Sequence, residues 1–145
     1  MRLDKIKLDN FACFESTSLE LHRRFNLIVG DNAAGKTTWL SGISVGLGAL
    51  FLGFPSPAVA KGIYKDQARL KFFERGDAIT AERQFPSAIS CIGEVNGEVG
   101  VWYRELTSED GKTTRQLALW IQQIAGKMRD QVKAGENVIL PVISF

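Results

Sequence analysis

A glycine-rich segment that ends in a lysine and two threonines has the composition needed to hold phosphate groups. The segment reads Gly30, Asp31, Asn32, Ala33, Ala34, Gly35, Lys36, Thr37, Thr38. Its first eight residues match the pattern G-x-x-x-x-G-K-[ST] at every fixed position. Glycines at both ends let the backbone curl tightly, so that successive N–H groups point into one concavity the size of a phosphate. The spacing therefore predicts a P-loop for a nucleoside triphosphate.

Each polar side chain at the end of this P-loop has an expected partner. We expect Lys36 to place its charge on the β- and γ-phosphates, Thr37 to offer its hydroxyl to Mg²⁺, and Thr38 to reach the α-phosphate. A helix directly after the loop would add its unpaired N-terminal N–H groups and the positive end of its dipole. The expected ligands are ATP and Mg²⁺, bound by residues 30–38, with Thr37 on the metal.

The flanking sequence supplies the elements that a P-loop needs. Residues 25–29 form a short apolar run that ends at a glycine and predict a buried strand. Residues 37–51 predict a helix, because apolar side chains recur every three or four positions. A chance glycine-rich turn would not be flanked in this way. Further strands are predicted at 3–8, 18–21, 69–75, 79–85, 89–95, 99–106 and 138–145, the run from 69 to 106 as an antiparallel meander, and an amphipathic helix at 114–132.

Composition narrows the class of protein. The 145 residues, of which 45% are hydrophobic and 23% charged, suit one globular domain. The formal net charge of +2 provides no strong basic field, so composition alone does not support DNA binding. Cys13, Cys91 and the single His22 lack metal-site spacing, and both thiols are expected to be buried. No signal peptide or membrane span is predicted, so the expected compartment is the cytoplasm.

Beyond the P-loop, the sequence resembles a family of ATPases. Asn32 within the loop, the pair Asn10 and Phe11 on the first strand, and the strand 25–29 are similar to the start of RecF/SMC/Rad50-type ABC ATPases. The closer resemblance is to the bacterial AAA-type ATP-binding proteins of the RecF-like and OLD-like groups, often found in anti-phage and DNA-maintenance systems. Residues 84–89 and 101–106 resemble their antiparallel β-subdomain. The most specific similarity lies in the first 40 or so residues.

The resemblance implies an α/β fold with a P-loop NTPase core, of the ABC/SMC N-terminal-lobe type, and an antiparallel β-subdomain. In this interpretation residues 1–145 are one lobe, with the P-loop and its helix in 1–53, the β-subdomain in 64–107, and a helix and strand returning to the core in 113–145. It also implies ATP hydrolysis by the full-length protein, a homodimer with nucleotide sandwiched between two copies, and a nuclease or DNA as partner.

Several motifs of the family have no counterpart in the sequence. The signature Ser-Gly loop, the apolar strand ending in Asp-Glu, the switch histidine and the glutamine loop are not found, and neither Gln67 nor Gln84 matches the last of these. Ala12 stands where Rad50 and SMC proteins tend to have a basic residue. We therefore expect the N-terminal lobe of a longer protein, which binds nucleotide but is inactive alone. Its catalytic residues cannot be assigned.

Other interpretations remain open at this stage. One is a nucleotide-sensing or assembly module that does not hydrolyse ATP. Another is a different P-loop enzyme, although the guanine-reading Asn-Lys-x-Asp of GTPases and the arginine-bearing lid of small kinases are not recognisable. Phe11 and Phe14 could stack on an adenine, but core packing is the more common role of such side chains.

Overall fold

A computed structural model describes residues 1–55, 60–76, 78–141 and 143. The described strands are β1 (Arg2–Phe11), β2 (Phe14–Glu20), β3 (Leu70–Arg75), β4 (Ala78–Arg83), β5 (Ser87–Val95) and β6 (Glu98–Leu106). The α-helices are α1 (Lys36–Gly48) and α2 (Leu119–Lys133), and short 3-10 turns occupy Ala49–Gly53, Lys65–Gln67 and Gln116–Ala118. The chain is thus a mixed α/β fold.

The strands are distributed over two antiparallel sheets. One has four strands in the order β2-β1-β5-β6, and the other is the β3–β4 hairpin. The predicted meander is therefore wrong as a single sheet, because β5 leaves the hairpin and pairs with β1, with Ile6 opposite Cys91 and Leu8 opposite Ile89. Two features explain the division. Pro86 has no N–H to continue a ladder after β4, and the alternately buried side chains of β5 need an apolar layer to pack against.

The core lies between one face of the four-stranded sheet and the two helices. Ile6, Leu8 and Trp102 are fully buried on that face. Helix α1 approaches the sheet closely at its glycines, since a Cβ at Gly42 would lie 2.6 Å from a methyl carbon of Leu8. Trp102 donates from Nε1 to the carbonyl oxygen of Gly46 at 2.8 Å. The glycines of α1 therefore allow the helix to pack closely against the sheet.

Helix α2 covers the same core from another side. Its buried side chains are Ile121, Ile124, Ala125 and Met128, which recur at helical spacing. The helix begins at Leu119 rather than at residue 114, and a 3-10 turn precedes it. The amphipathic pattern therefore identified the helix correctly and placed its beginning too early.

The predicted strand at residues 25–29 is wrong for the described chain. No strand is assigned there, and the side chains of Phe25, Leu27 and Val29 are 73%, 74% and 79% exposed. A strand forms only beside a pairing partner, and the described strands pair elsewhere. The predicted final strand is also wrong at residues 138–141 and 143, where no strand is assigned. Residues 142, 144 and 145 lie outside the described residues. The segment that leads into the glycine-rich loop therefore has apolar side chains and an unpaired main chain.

Candidate phosphate-binding site

The glycine-rich loop curls tightly before helix α1. Ala33 and Gly35 have φ angles of 67° and 83°, in the left-handed region that favours glycine. Ala34 donates its N–H to the carbonyl oxygen of Asp31 at 3.2 Å, which closes a turn within the loop. Left-handed residues interspersed with right-handed ones turn successive N–H groups toward a common side and create an anion-binding concavity. The loop therefore makes a tight turn with left-handed residues directly before α1.

Helix α1 begins at Lys36, directly after the loop. Its first helical hydrogen bond runs from the N–H of Trp39 to the carbonyl oxygen of Gly35 at 3.0 Å. The N–H groups of Lys36, Thr37 and Thr38 precede that bond, and no side chain caps the helix. Uncapped N–H groups at the positive end of a helix dipole are suited to an anion.

The side chain of Lys36 folds back over the loop. Its Nζ donates to the carbonyl oxygens of Gly30 and Asp31 at 2.7 and 2.6 Å. An ammonium group has three N–H donors, so two of them hold the loop and one is left for a ligand. The positive charge is thereby held beside the uncapped start of α1, where it would add to the attraction for phosphate.

The turn between β1 and β2 forms a wall against the loop. The sulfur of Cys13 lies 3.7 Å from the hydroxyl oxygen of Thr38. The ring of Phe14 lies 5.4 Å from the ring of Trp39, and a Cβ at Gly35 would lie 2.5 Å from Phe14. Sequence reasoning did not find this wall, because its residues are about 20 positions from the loop and carry no motif.

The structure decides two expectations, one about the burial of the two thiols and one about the role of the two phenylalanines of β1 and β2. Cys13 is exposed, so the expectation that both thiols are buried is wrong for it, because the tight turn projects the side chain toward the loop. Cys91 is buried, and burial raises the pKa of its thiol to about 12. Phe11 is fully buried in the core, and Phe14 is half-buried against Gly35, which confirms core packing as the role of Phe11.

The residues available to a metal ion fit magnesium bound through a nucleotide. Thr37 is exposed at the start of α1, so its hydroxyl is accessible. Magnesium commonly keeps several waters and takes few protein oxygens when phosphates supply the rest. Within the described ranges, no group of three or more His, Cys, Asp or Glu side chains could hold a metal by itself. Thr37 could therefore hold the ion together with phosphate oxygens.

The face of α1 that turns away from the sheet is open. A cavity of about 820 Å³ is lined by Thr37, Ser41 and Ser44 of this helix, among other residues. A second cavity of about 510 Å³ lies against Leu40 and the loop residue Ile28. Ser44 is buried, and its hydroxyl oxygen has no hydrogen-bond partner in the described part of the chain. The sheet thus covers one face of α1, and the other face borders empty space.

The fold and this loop define an ABC/SMC-type P-loop NTPase lobe. The chain belongs to the AAA domain family, whose model matches residues 5–145. Its fold is similar to that of a solved SMC ATPase, with a TM-score of 0.53 and 17% sequence identity over 86% of this chain and 80% of that one. That structure comes from work on ATP-driven dimerisation and DNA-stimulated activation of SMC ATPases.

Relatives of known role match shorter parts of the chain. Structural maintenance of chromosomes protein 6 of Saccharomyces cerevisiae is 49% identical over 47 residues, which are 32% of this chain and 4% of that protein. The DNA double-strand break repair Rad50 ATPase of Sulfolobus acidocaldarius is 31% identical over 86 residues, 57% of this chain and 10% of its own. The DNA replication and repair protein RecF of Staphylococcus epidermidis is 37% identical over 43 residues, which are 30% of this chain and 12% of that protein.

These matches confirm the family resemblance. The chain is similar to parts of SMC, Rad50 and RecF proteins, and it spans 4% to 12% of the length of the three relatives above. No helix among the described residues is long and apolar enough to cross a membrane. The nine residues of the loop lie together at the start of α1.

Proposed function

We propose that the chain binds ATP with Mg²⁺ through residues 30–38. The observation that supports this most strongly is the pair of hydrogen bonds from Lys36 to the loop carbonyls, beside an uncapped helix start. A loop shaped in this way before binding needs little ordering when phosphate arrives, so more of the interaction energy appears as affinity. Lys36 binds the β- and γ-phosphates with its remaining N–H, and main-chain N–H groups from Gly30 to Thr38 surround them.

Thr37 and Thr38 divide the remaining contacts. Thr37 is exposed, and its hydroxyl oxygen would help to hold Mg²⁺ beside the phosphates. Thr38, half-buried behind it, reaches the α-phosphate. Bound Mg²⁺ supplies charge neutralisation on the phosphates, and the chain orients them.

In the full-length protein we propose ATP hydrolysis and dimerisation around the nucleotide. Support comes from the family and from the open face of α1, where the cavity beside Thr37 leaves room for a further segment with a carboxylate for the metal. The names of the relatives favour a role in DNA maintenance, and anti-phage defence is the other process compatible with the RecF-like group. The partner would be DNA or a nuclease, and the compartment would be the cytoplasm.

A nucleotide-sensing or assembly module is the second candidate. It is favoured by one observation, namely that the described residues around Thr37 include no acidic cluster able to complete a metal site. In this candidate function, the chain by itself binds ATP and leaves it intact. ATP turnover by the full-length protein distinguishes the two candidates.

The binding proposal is tested by calorimetric titration of the chain with Mg–ATP. We expect Lys36→Ala to weaken binding about tenfold to a hundredfold, the range for the loss of one charge-assisted hydrogen bond. Lys127→Ala is the matched control, because Lys127 is an exposed lysine on α2, 3.9 Å from Glu98. Circular dichroism would verify that both variants fold. Equal affinity of the Lys36 variant and the wild type would overturn the proposal.

The metal assignment has its own test. Thr37→Val keeps the side-chain shape and removes the hydroxyl. We expect the variant to bind ATP in EDTA as the wild type does, and to lose most of the gain in affinity that Mg²⁺ brings. A full gain from Mg²⁺ in this variant would contradict the role of Thr37.

A further inference from the structure

Gln67 is held at both ends of its side chain. It closes the 3-10 turn Lys65–Gln67, just before β3. Its Nε2 donates to the hydroxyl oxygen of Ser41 on α1 at 2.9 Å, and its Oε1 accepts from the main-chain N–H of Tyr64 at 2.9 Å. Since one end of the amide donates and the other accepts, these two bonds permit one orientation of the side chain.

The main chain of the same residue holds the β1–β2 turn. The carbonyl oxygen of Gln67 accepts from the N–H of Ala12 at 2.6 Å. Ala12 has a φ angle of 49°, in the left-handed region that is unfavourable for alanine. The hydrogen bond to Gln67 therefore stabilises this conformation of the turn. Two residues further along the chain, Arg69 donates its N–H to the carbonyl oxygen of Asn10 at 2.9 Å.

Both structures held by Gln67 border the phosphate site. Ser41 lies one helical turn after Thr37, on the same face of α1. The β1–β2 turn holds Cys13 3.7 Å from the hydroxyl of Thr38 and packs Phe14 against Gly35. Gln67 itself lies outside residues 30–38. Gln67 thus links α1, which carries Thr37, to the β1–β2 turn that forms the wall against the loop.

We infer that Gln67 is a positioning residue for the nucleotide site, which fixes the first turns of α1 relative to the β1–β2 turn through Ser41 and Ala12. This inference rests on the proposed binding of Mg–ATP by the loop. The physical reason is preorganisation, because contacts with phosphate and metal depend on where the helix start is held. The residue acts through Ser41 and Ala12 and lies outside the loop of residues 30–38.

The test is calorimetry with Mg–ATP on the wild-type chain and on Gln67→Met, which keeps the length of the side chain and removes both hydrogen bonds. We expect affinity to fall about threefold to tenfold, the range for the loss of one net hydrogen bond. Gln84→Met is the matched control, because the Nε2 of Gln84 donates to the carbonyl oxygen of nearby Glu82 at 3.1 Å, away from α1. It should bind as the wild type does.

A double-mutant cycle separates positioning from general stability. Ser41→Ala should weaken binding about as much as Gln67→Met, and the double variant should be no weaker than either, because all three lack the same bond. Gln67→Glu should restore affinity, since a carboxylate can accept from both the Tyr64 N–H and the Ser41 hydroxyl. Additive losses in the cycle, or lower thermal stability with unchanged affinity, would overturn the inference.

The outcomes also separate this inference from the proposal on which it depends. No binding by the wild-type chain would refute both. Binding by the wild type with equal affinity in Gln67→Met would refute the positioning role and leave the P-loop assignment in place. If Gln67→Met does not fold, Ser41→Ala decides alone, and wild-type affinity in that variant would refute the inference.

Discussion

The Nζ of Lys36 lies 2.7 Å from the carbonyl oxygen of Gly30, so the lysine near the end of the glycine-rich loop bonds to the residue that opens it. The same ammonium group bonds to the carbonyl oxygen of Asp31 at 2.6 Å. A charge-assisted hydrogen bond is about twice as strong as a neutral one. The loop is therefore shaped by its own lysine, and its glycines should be sensitive to substitution.

Gly35→Ala should destabilise the protein more than the same change at another left-handed glycine. At Gly35, with φ of 83°, a Cβ would add about 1–2 kcal/mol of backbone strain and would lie 2.5 Å from the ring of Phe14. Overpacking of this kind costs a further ~1–3 kcal/mol. Gly97, with φ of 81°, has no atom within 4 Å of such a Cβ, so Gly97→Ala should show the backbone cost alone. Urea unfolding measures both, and equal losses would contradict the contact with Phe14.

Two helix glycines should respond to alanine with opposite signs. A Cβ at Gly46 in α1 would lie 2.5 Å from the sulfur of Cys91, so overpacking should outweigh the gain in helix propensity, and Gly46→Ala should lower the free energy of unfolding by up to about 2 kcal/mol. A Cβ at Gly126 in α2 would meet its nearest atom, in Arg129, at 4.0 Å. Gly126→Ala should therefore raise stability by about 1 kcal/mol, the difference in helix propensity. A stabilising change at Gly46 would show that α1 does not pack on β5 as described.

Nucleotide should protect Cys13 from alkylation. Cys13 is exposed, and its sulfur lies 3.7 Å from the hydroxyl of Thr38. We expect a maleimide to modify Cys13 in the folded protein and saturating Mg–ATP to slow that reaction at least about tenfold, through the steric exclusion expected of a ligand in a concave site. Mass spectrometry of tryptic peptides would identify the modified residue.

Cys91 serves as the internal control in the same experiment. It is buried, and its pKa is raised to about 12, so the neutral thiol persists through the usual pH range and the reactive thiolate is scarce. It should react only on unfolding. Modification of Cys91 under native conditions, or an unchanged rate at Cys13 with nucleotide, would contradict this prediction.

Arg104→Met should leave stability unchanged or raise it. Arg104 is 3% exposed, and its Nε and Nη1 have no hydrogen-bond partner among the described residues. Burial, and then the nearby charge of Arg115, lower its pKa to about 10. The Nη2 of Arg104 donates to the carbonyl oxygen of Lys61 at a long 3.4 Å. A buried charge with so little compensation costs more than an apolar side chain of similar size. Arg69→Met is the control, because Arg69 pairs with Glu15 at 2.9 Å, and its loss should lower stability by up to about 1 kcal/mol.

The pH dependence of the Arg104 effect has a definite sign. Because the folded-state pKa is lowered, folded and unfolded chains both carry the proton below pH 10, and the penalty is constant there. Between about 10 and the ordinary value of 12.5, rising pH relieves the penalty as the folded state loses its proton. The difference between wild type and Arg104→Met should therefore be equal at about pH 6 and about pH 9. A clear loss of stability in the variant at either pH would show that the hydrogen bond to Lys61 outweighs the cost of burying the charge.

Local features of this protein could be read from the chain. The turn around Ala33 and Gly35, the start of α1 at Lys36, and the apolar face of α2 depend on backbone preferences and hydrogen bonds within a few residues. Such interactions give the sequence a local pattern, either as a motif or as a helical period. The family resemblance rested chiefly on Asn10, Phe11, Asn32 and the run 25–29, and the match over residues 5–145 confirmed it.

Tertiary structure decided the rest. Three features join positions far apart in the chain: the pairing of β5 with β1, the wall formed by Cys13 and Phe14, and the bridge from Gln67 to Ser41. The exposure of residues 25–29 likewise depends on which distant segments lie beside them. An apolar run such as 25–29 specifies that a partner is needed, but it does not specify which segment pairs with it or whether one is present. A strand is stabilised by its neighbours, whereas a P-loop is stabilised by its own residues, and this difference separates what could be predicted from what could not.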